Sequence, residues 1–156
     1  MPKKTTWKIM QLNVQYPRNK LNLLQVFVDE KSTNLLIITE HALRDNEIEY
    51  YKLDDCVLAD SYCRKQHRGG GVAIFVKEHL PFKKISFVEQ YCKEETIEMA
   101  GVVVHTNTHS SGLSKHNVIG TYCPPNTDVL YYLDTLNRAI RQTGPTDLSI
   151  VGDSLL

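Results

Sequence analysis

Residues 34–40, Asn-Leu-Leu-Ile-Ile-Thr-Glu, decide the fold: a short apolar run that ends on a carboxylate. Leu35 to Ile38 do not alternate with polar residues, so the run reads as a strand buried on both faces, inside a sheet covered on both sides. Upstream, residues 20–30 place Leu21, Leu24, Val28 and then Leu23, Phe27 at helical spacing, so a helix precedes the strand. Before that, residues 7–15 (WKIMQLNVQ) alternate and read as a first strand. Strand, helix, strand is the order of a crossover unit.

Downstream the pattern changes to hairpins. Residues 56–62 and 71–77 (GVAIFVK) read as two strands joined across residues 64–70, with glycines at the tip. Arg68, Gly69, Gly70 and Gly71 are read as a turn and not a phosphate cradle. A strand follows them, whereas phosphate-binding glycine loops open a helix. Residues 83–88 and 96–105 read as further strands, the polar residues 106–116 as a surface loop, and residues 117–122 as a strand ended by Pro124-Pro125. Asn126 or Thr127 is expected to cap a helix over residues 128–142, with Val129, Leu133, Leu136 and Ile140 as its buried stripe and Gly144-Pro145 closing it. Residues 148–151 read as a last buried strand, leading into Gly152-Asp153. Crossovers mixed with hairpins define an α/β class with a mixed sheet, in one domain over residues 1–156.

The bulk numbers are those of an ordinary globular chain: 42% hydrophobic and 23% charged residues. Lys plus Arg and Asp plus Glu are both 18, and a chain of zero formal charge lacks the signature of a protein that grips duplex DNA through many phosphates. Basic residues do cluster: Lys3, Lys4, Lys8, Arg18 and Lys20 precede the first acid, and Arg64, Lys65 and Arg68 adjoin the glycines. The first group reads as a solvated face, the second as part of a functional loop. Cys56, Cys63, Cys92 and Cys123 form no C-x-x-C pair and imply neither a zinc site nor a disulfide scaffold. Reduced thiols, no secretory leader and no membrane-length apolar run place the chain in the nucleus or cytoplasm as an expectation, not secreted.

Polar groups sit at or near the ends of apolar strands, where open sheets present ligands. Asn13 lies between Leu12 and Val14, Glu40 follows LLIIT, Tyr122 ends VIGTY, and Asp153 follows LSIVG. Two carboxylates and an amide oxygen form an oxygen-only donor set that suits magnesium and not zinc. Each residue also has a plainer reading. An asparagine in a strand is often a satisfied polar group, a glutamate can start a helix, and Gly-Asp after a strand is often a turn.

Taken in order, L-N-V-Q, L-L-I-I-T-E-H, S-Y-C-R…R-G-G-G-V-A-I-F-V-K, I-G-T-Y-C-P-P-N and I-V-G-D resemble the endonuclease/exonuclease/phosphatase superfamily over residues 7–153. Within it, the R-G-G-G-V-A-I-F-V-K and Y-C-P-P-N stretches look most like the endonuclease domain of LINE-type non-LTR retrotransposons. The resemblance implies a mixed-sheet β-sandwich flanked by helices, with a metal site at one rim. It implies Glu40 as the main magnesium ligand, Asn13 supporting the metal or the phosphate, Tyr122 on the scissile phosphate, and Asp153 orienting or deprotonating water. Magnesium is the expected ion and manganese its alternative. DNA is the expected partner, held weakly by this chain, with a reverse transcriptase domain in the full-length element and no membrane.

The departures are specific. The family's Gly-Asp-x-Asn reads Gly152-Asp153-Ser154-Leu155 here, and Gln15 stands where repair-type relatives often carry Asp. The family's later strands, with a second Asp and a Ser-Asp-His segment, have no counterpart. The expectation is therefore a nicking endonuclease domain, incomplete at its C-terminus and impaired. The alternative is an inactive fragment that binds nucleic acid or protein weakly.

Overall fold

The computed structural model describes residues 6–108 and 112–154, and Leu155 and the middle of the expected 106–116 loop fall outside them. The element order is β1 (Ile9–Asn13), α1 (Leu21–Glu30), β2 (Leu35–Thr39), α2 (Asp45–Ile48), β3 (Cys56–Tyr62), β4 (Val72–Lys77), β5 (Phe82–Lys84), β6 (Glu98–Thr108), β7 (Gly112–Cys123), α3 (Val129–Thr143) and β8 (Asp147–Ser154). Two four-stranded sheets result, ordered β1-β2-β4-β3 and β5-β6-β7-β8. Each is mixed: β1 and β2 are parallel, as are β7 and β8, while the remaining pairs are antiparallel.

The period of two in each strand explains why the central runs carry no polar residue. Leu35 and Ile37 of β2, with Val72, Ile74 and Val76 of β4, face Ala100, Val102 and Val104 of β6 and Val118 of β7 between the sheets. Leu36, Ile38, Ala73 and Phe75 point the other way, onto Leu24 and Val28 of α1 and onto Ile48, Tyr51 and Leu53. The outer face of the second sheet carries Met99 and Ile119 against Val88, Tyr132 and Ala139. Helix–sheet–sheet–helix layering therefore covers all four sheet faces, the mixed-sheet sandwich that the both-faced burial of β2 requires.

Several elements differ from expectation. β5 is three residues long, and the chain leaves the expected strand at Ile85 and turns into a 3-10 segment over Val88–Tyr91. Ile85 and Val88, three residues apart, both turn inward and are buried. The expected 106–116 loop is mostly strand: β6 and β7 pair as far as Thr108 and Gly112, since main-chain pairing does not need apolar side chains. Asp128, not Asn126 or Thr127, caps α3, its carboxylate accepting from the N–H groups of Leu130 (3.0 Å) and Tyr131 (3.3 Å). The buried face of α3 is Tyr132, Thr135 and Ala139; Val129 and Leu133 are exposed. A hydrogen bond between the hydroxyls of Tyr132 and Thr121 (2.9 Å) fixes that rotation. The last strand, expected to be buried on both faces, is an edge strand with Ile150 41% exposed. No helix of the described residues is long and apolar enough to cross a membrane, and all four cysteines are free.

Candidate active site at the rim of the sandwich

Parallel pairing of β1 with β2 sets Asn13 across from Thr39, so Glu40 emerges beside Asn13 at the rim of the first sheet. Parallel pairing of β7 with β8 sets Tyr122 across from Asp153 in the second. The two rims meet. The Asn13 amide nitrogen donates to Glu40 Oε1 at 2.8 Å and to Asp153 Oδ2 at 2.6 Å. The Tyr122 hydroxyl, 5% exposed as a residue, is hydrogen-bonded to Glu40; burial first, and that bond second, push its pKa up. Tyr122 therefore stays a phenol and a donor. The structure thus gathers the four residues singled out in the sequence at one place, with Asn13 as a bridge that turns its NH2 group toward both carboxylates.

Glu40 is held in an unusual backbone. Its φ is 54°, and that of Ala42 is 55°. Each left-handed non-glycine residue costs on the order of 1–3 kcal/mol and persists only where neighbours over-determine it. The neighbours are identifiable. Glu40 N donates to Gly71 O (2.9 Å) and Ala42 N to Gly70 O (2.8 Å), so the glycine turn backs the carboxylate segment. Gly69, Gly70 and Gly71 all have positive φ, and Val72 begins a strand, as a turn requires.

Beneath that turn lies a pair of residues that the sequence reading did not bring together. Glu98 is fully buried and accepts from Arg64 Nε at 2.5 Å, Gly71 N at 2.5 Å and Glu95 N at 3.2 Å. Arg64, 8% exposed, also donates to Arg68 O at 2.9 Å. Arg64 was visible as part of a basic cluster beside glycines. Glu98 offered one clue, a carboxylate inside an otherwise apolar strand.

His41 was passed over as well. It is fully buried; its Nδ1 accepts from Leu43 N (3.0 Å) and its Nε2 lies 3.2 Å from Tyr62 O. Burial pushes its pKa down to about 4. The unfolded chain takes up this proton near pH 6.5 and the folded chain only near pH 4, so stability is full above pH 6.5 and falls as pH drops toward 4. The expected loss is about 3 kcal/mol over that window, at about 1.4 kcal/mol per pH unit. Urea unfolding at a series of pH values measures it, and His41→Gln is expected to flatten the slope. An equal slope in both proteins would show that other groups carry the pH dependence.

Beyond His41 and Ala42 opens a cleft of about 670 Å³, lined by Tyr16, Arg18, Arg44, His67 and Arg68 among others. Arg18 is paired with Glu47, and Arg44 reaches the carbonyl of Arg64. The rim thus juxtaposes two carboxylates with a basic cleft. No group of three or more His, Cys, Asp and Glu side chains that could hold a metal occurs among the described residues. The donors at the rim are oxygens, with two carboxylates converging on one amide; this suits a hard ion such as magnesium, which takes one or two carboxylates and keeps its waters.

The layered mixed-sheet sandwich has the endonuclease/exonuclease/phosphatase fold. Similar solved structures include the endonuclease domain of TRAS1, a telomere-specific non-LTR retrotransposon, with a TM-score of 0.67 at 18% identity over 95% of this chain and 58% of that one. The Xenopus laevis APE2 catalytic domain gives 0.63 at 15% identity, over 95% and 58% of the two chains. An AP endonuclease from Archaeoglobus fulgidus gives 0.59 at 18% identity, over 95% and 57%. At these identities the likeness establishes the fold, and the chain spans less than two thirds of each of these structures. No protein-family model and no curated protein matches the sequence.

Proposed function

We propose that this chain carries the metal- and phosphate-binding part of a nuclease site that hydrolyses phosphodiesters in DNA. The observation that carries the reading is the Asn13 amide tying Glu40 of one sheet to Asp153 of the other, beside the Tyr122 phenol. Glu40, with Asp153 beside it and Asn13 supporting both, would hold magnesium or manganese. When bound, such an ion neutralises charge that develops on the phosphate and its leaving oxygen. The residues do the rest. Tyr122, whose O–H is bonded to Glu40, would turn it to a phosphate oxygen when substrate binds, and the arginines along the cleft bind flanking phosphates. Asp153 orients a water and accepts its proton as the water oxygen attacks phosphorus. The P–O3′ bond breaks, leaving a 3′-hydroxyl and a 5′-phosphate. The R-G-G-G-V-A-I-F-V-K and Y-C-P-P-N stretches and the likeness to the TRAS1 domain support a non-LTR retrotransposon setting, with a reverse transcriptase as partner and a 3′-hydroxyl primer as product.

A second reading rests on His41. Near the carboxylates it is buried, neutral and engaged at both nitrogens, so it cannot meet the charge on the departing oxygen. The 156 residues by themselves are therefore proposed to bind the ion and DNA weakly and to nick slowly. Losing one transition-state contact costs on the order of 10²–10³ in rate.

Calorimetric titration with Mn²⁺, paired with a supercoiled-plasmid relaxation assay, tests both readings. Binding is expected to weaken in Glu40→Ala by more than the roughly 10–100-fold that loss of a supporting residue costs, and in Asn13→Ala within that range. Equal binding by wild type and Glu40→Ala would end the metal-site reading. Robust nicking that vanishes in Glu40→Ala would end the impaired one.

A further inference from the structure

Between Glu98 and Glu40 runs a relay of hydrogen bonds with one residue at its middle. Gly71 donates its N–H to Glu98 Oε2 at 2.5 Å, and its carbonyl accepts the Glu40 N–H at 2.9 Å. Gly71 is therefore gripped from both ends, by a buried carboxylate on one side and the candidate ligand's own backbone on the other. The neighbouring bond, Ala42 N to Gly70 O at 2.8 Å, repeats the grip one residue away.

Arg64 closes the assembly. Its guanidinium packs so closely on Gly70 that a Cβ there would lie 2.2 Å from Nε. The same group donates to Glu98 Oε1 and to Arg68 O, so it holds both the carboxylate and the start of the turn. On the far side the His41 ring lies against Gly71, where a Cβ would come within 2.4 Å of Nε2. The turn is thus wedged between Arg64 and His41, and His41 is the residue between the two left-handed ones, Glu40 and Ala42.

A buried ion pair is weak evidence of a stabilising role, since apolar residues of similar volume often replace one without loss. This pair is used otherwise. Glu98 divides its two oxygens between the arginine and the turn, and both charges are out of water.

We propose that Glu98 and Arg64 are positioning residues for Glu40, acting through the Gly69–Gly71 turn to hold the carboxylate segment in its left-handed backbone. This deepens the metal-site reading for its consequence on cation binding, while the positioning itself is a property of the metal-free protein and is testable without an ion.

The experiment is amide hydrogen exchange, followed by NMR or mass spectrometry, on wild type, Glu98→Gln and Arg64→Met/Glu98→Met, each also titrated with Mn²⁺. The expected result is a loss of protection of about tenfold or more at the Glu40 and Ala42 amides, with the β2 amides of Leu36 to Thr39 unchanged, because local opening is separable from global unfolding. The double variant removes both charges together and leaves Gly71 N without its acceptor, so it shows the same local loss even where the single variant is unstable. Mn²⁺ binding is expected to weaken about 10–100-fold alongside. Unchanged protection at Glu40 and Ala42 in a folded variant would overturn the proposal. So would failure of the double variant to fold, which would make the pair a requirement of the whole fold and not of the turn. If wild type binds no Mn²⁺, the metal-site reading falls, and the exchange data still decide the positioning.

Discussion

Gly71→Ala is expected to destabilise the protein by about 2–5 kcal/mol, a large part of a total stability of about 5–15 kcal/mol. Two costs add. At φ 96° an L-residue is in the region glycine alone enters freely, worth roughly 1–2 kcal/mol. The new methyl would also lie 2.4 Å from the ring of His41, which is fully buried and engaged at both nitrogens and so cannot swing aside. Overpacking of this kind costs about 1–3 kcal/mol. Gly144→Ala is the control, since Gly144 also has positive φ (76°) but a Cβ there meets nothing within 4 Å. Chemical unfolding of both variants separates the two costs: Gly144→Ala should show only the backbone cost of about 1–2 kcal/mol, and Gly71→Ala that cost plus the overpacking. Equal losses would mean that the His41 contact relaxes freely.

How far the fold could be read from sequence depended on how local its causes are. β2 was legible because four apolar residues in a row leave a strand no polar face, and the β3–β4 hairpin because two strand-like runs flank a cluster of glycines. The buried face of α3 was legible only in part: Leu136 of the expected stripe packs on the core, but the helix buries a tyrosine, a threonine and an alanine while leaving Leu130 and Leu133 in solvent. A hydroxyl pair with Thr121 of β7 decides that rotation, and apolar spacing carries no trace of it. The same divide runs through the site. Asn13, Glu40, Tyr122 and Asp153 stood out because each is a polar group at or near a strand end. Arg64 showed only as one of a basic cluster and Glu98 not at all, because the bond that gives them meaning joins residues 34 apart. The Asn13–Asp153 bond spans 140 positions, and only pairing of both sheets at a common rim closes it.

Gly152→Ala is expected to detach that last connection while leaving most of the fold intact. Gly152 lies opposite Thr121 in the β7–β8 ladder, and a Cβ there would sit 2.2 Å from the Thr121 carbonyl oxygen. That contact is with main chain in a central strand, so the yielding partner must be β8. β8 is able to yield. It is an edge strand, its Ile150 is 41% exposed, and only Leu148 and Val151 of its apolar residues pack on the cores. Release of β8 carries Asp153 away from Asn13, although Asp153 itself is unchanged. Hydrogen exchange should therefore show β8 amides losing protection while β2 and β4 keep theirs. Mn²⁺ affinity should fall by about 10–100-fold, and Asp153→Ala is expected to lower it to the same degree. The exchange result stands apart from the metal reading: protected β8 amides in Gly152→Ala would show that the ladder absorbs the methyl group. Released β8 with undiminished Mn²⁺ binding would show instead that Asp153 is not part of the ion's site.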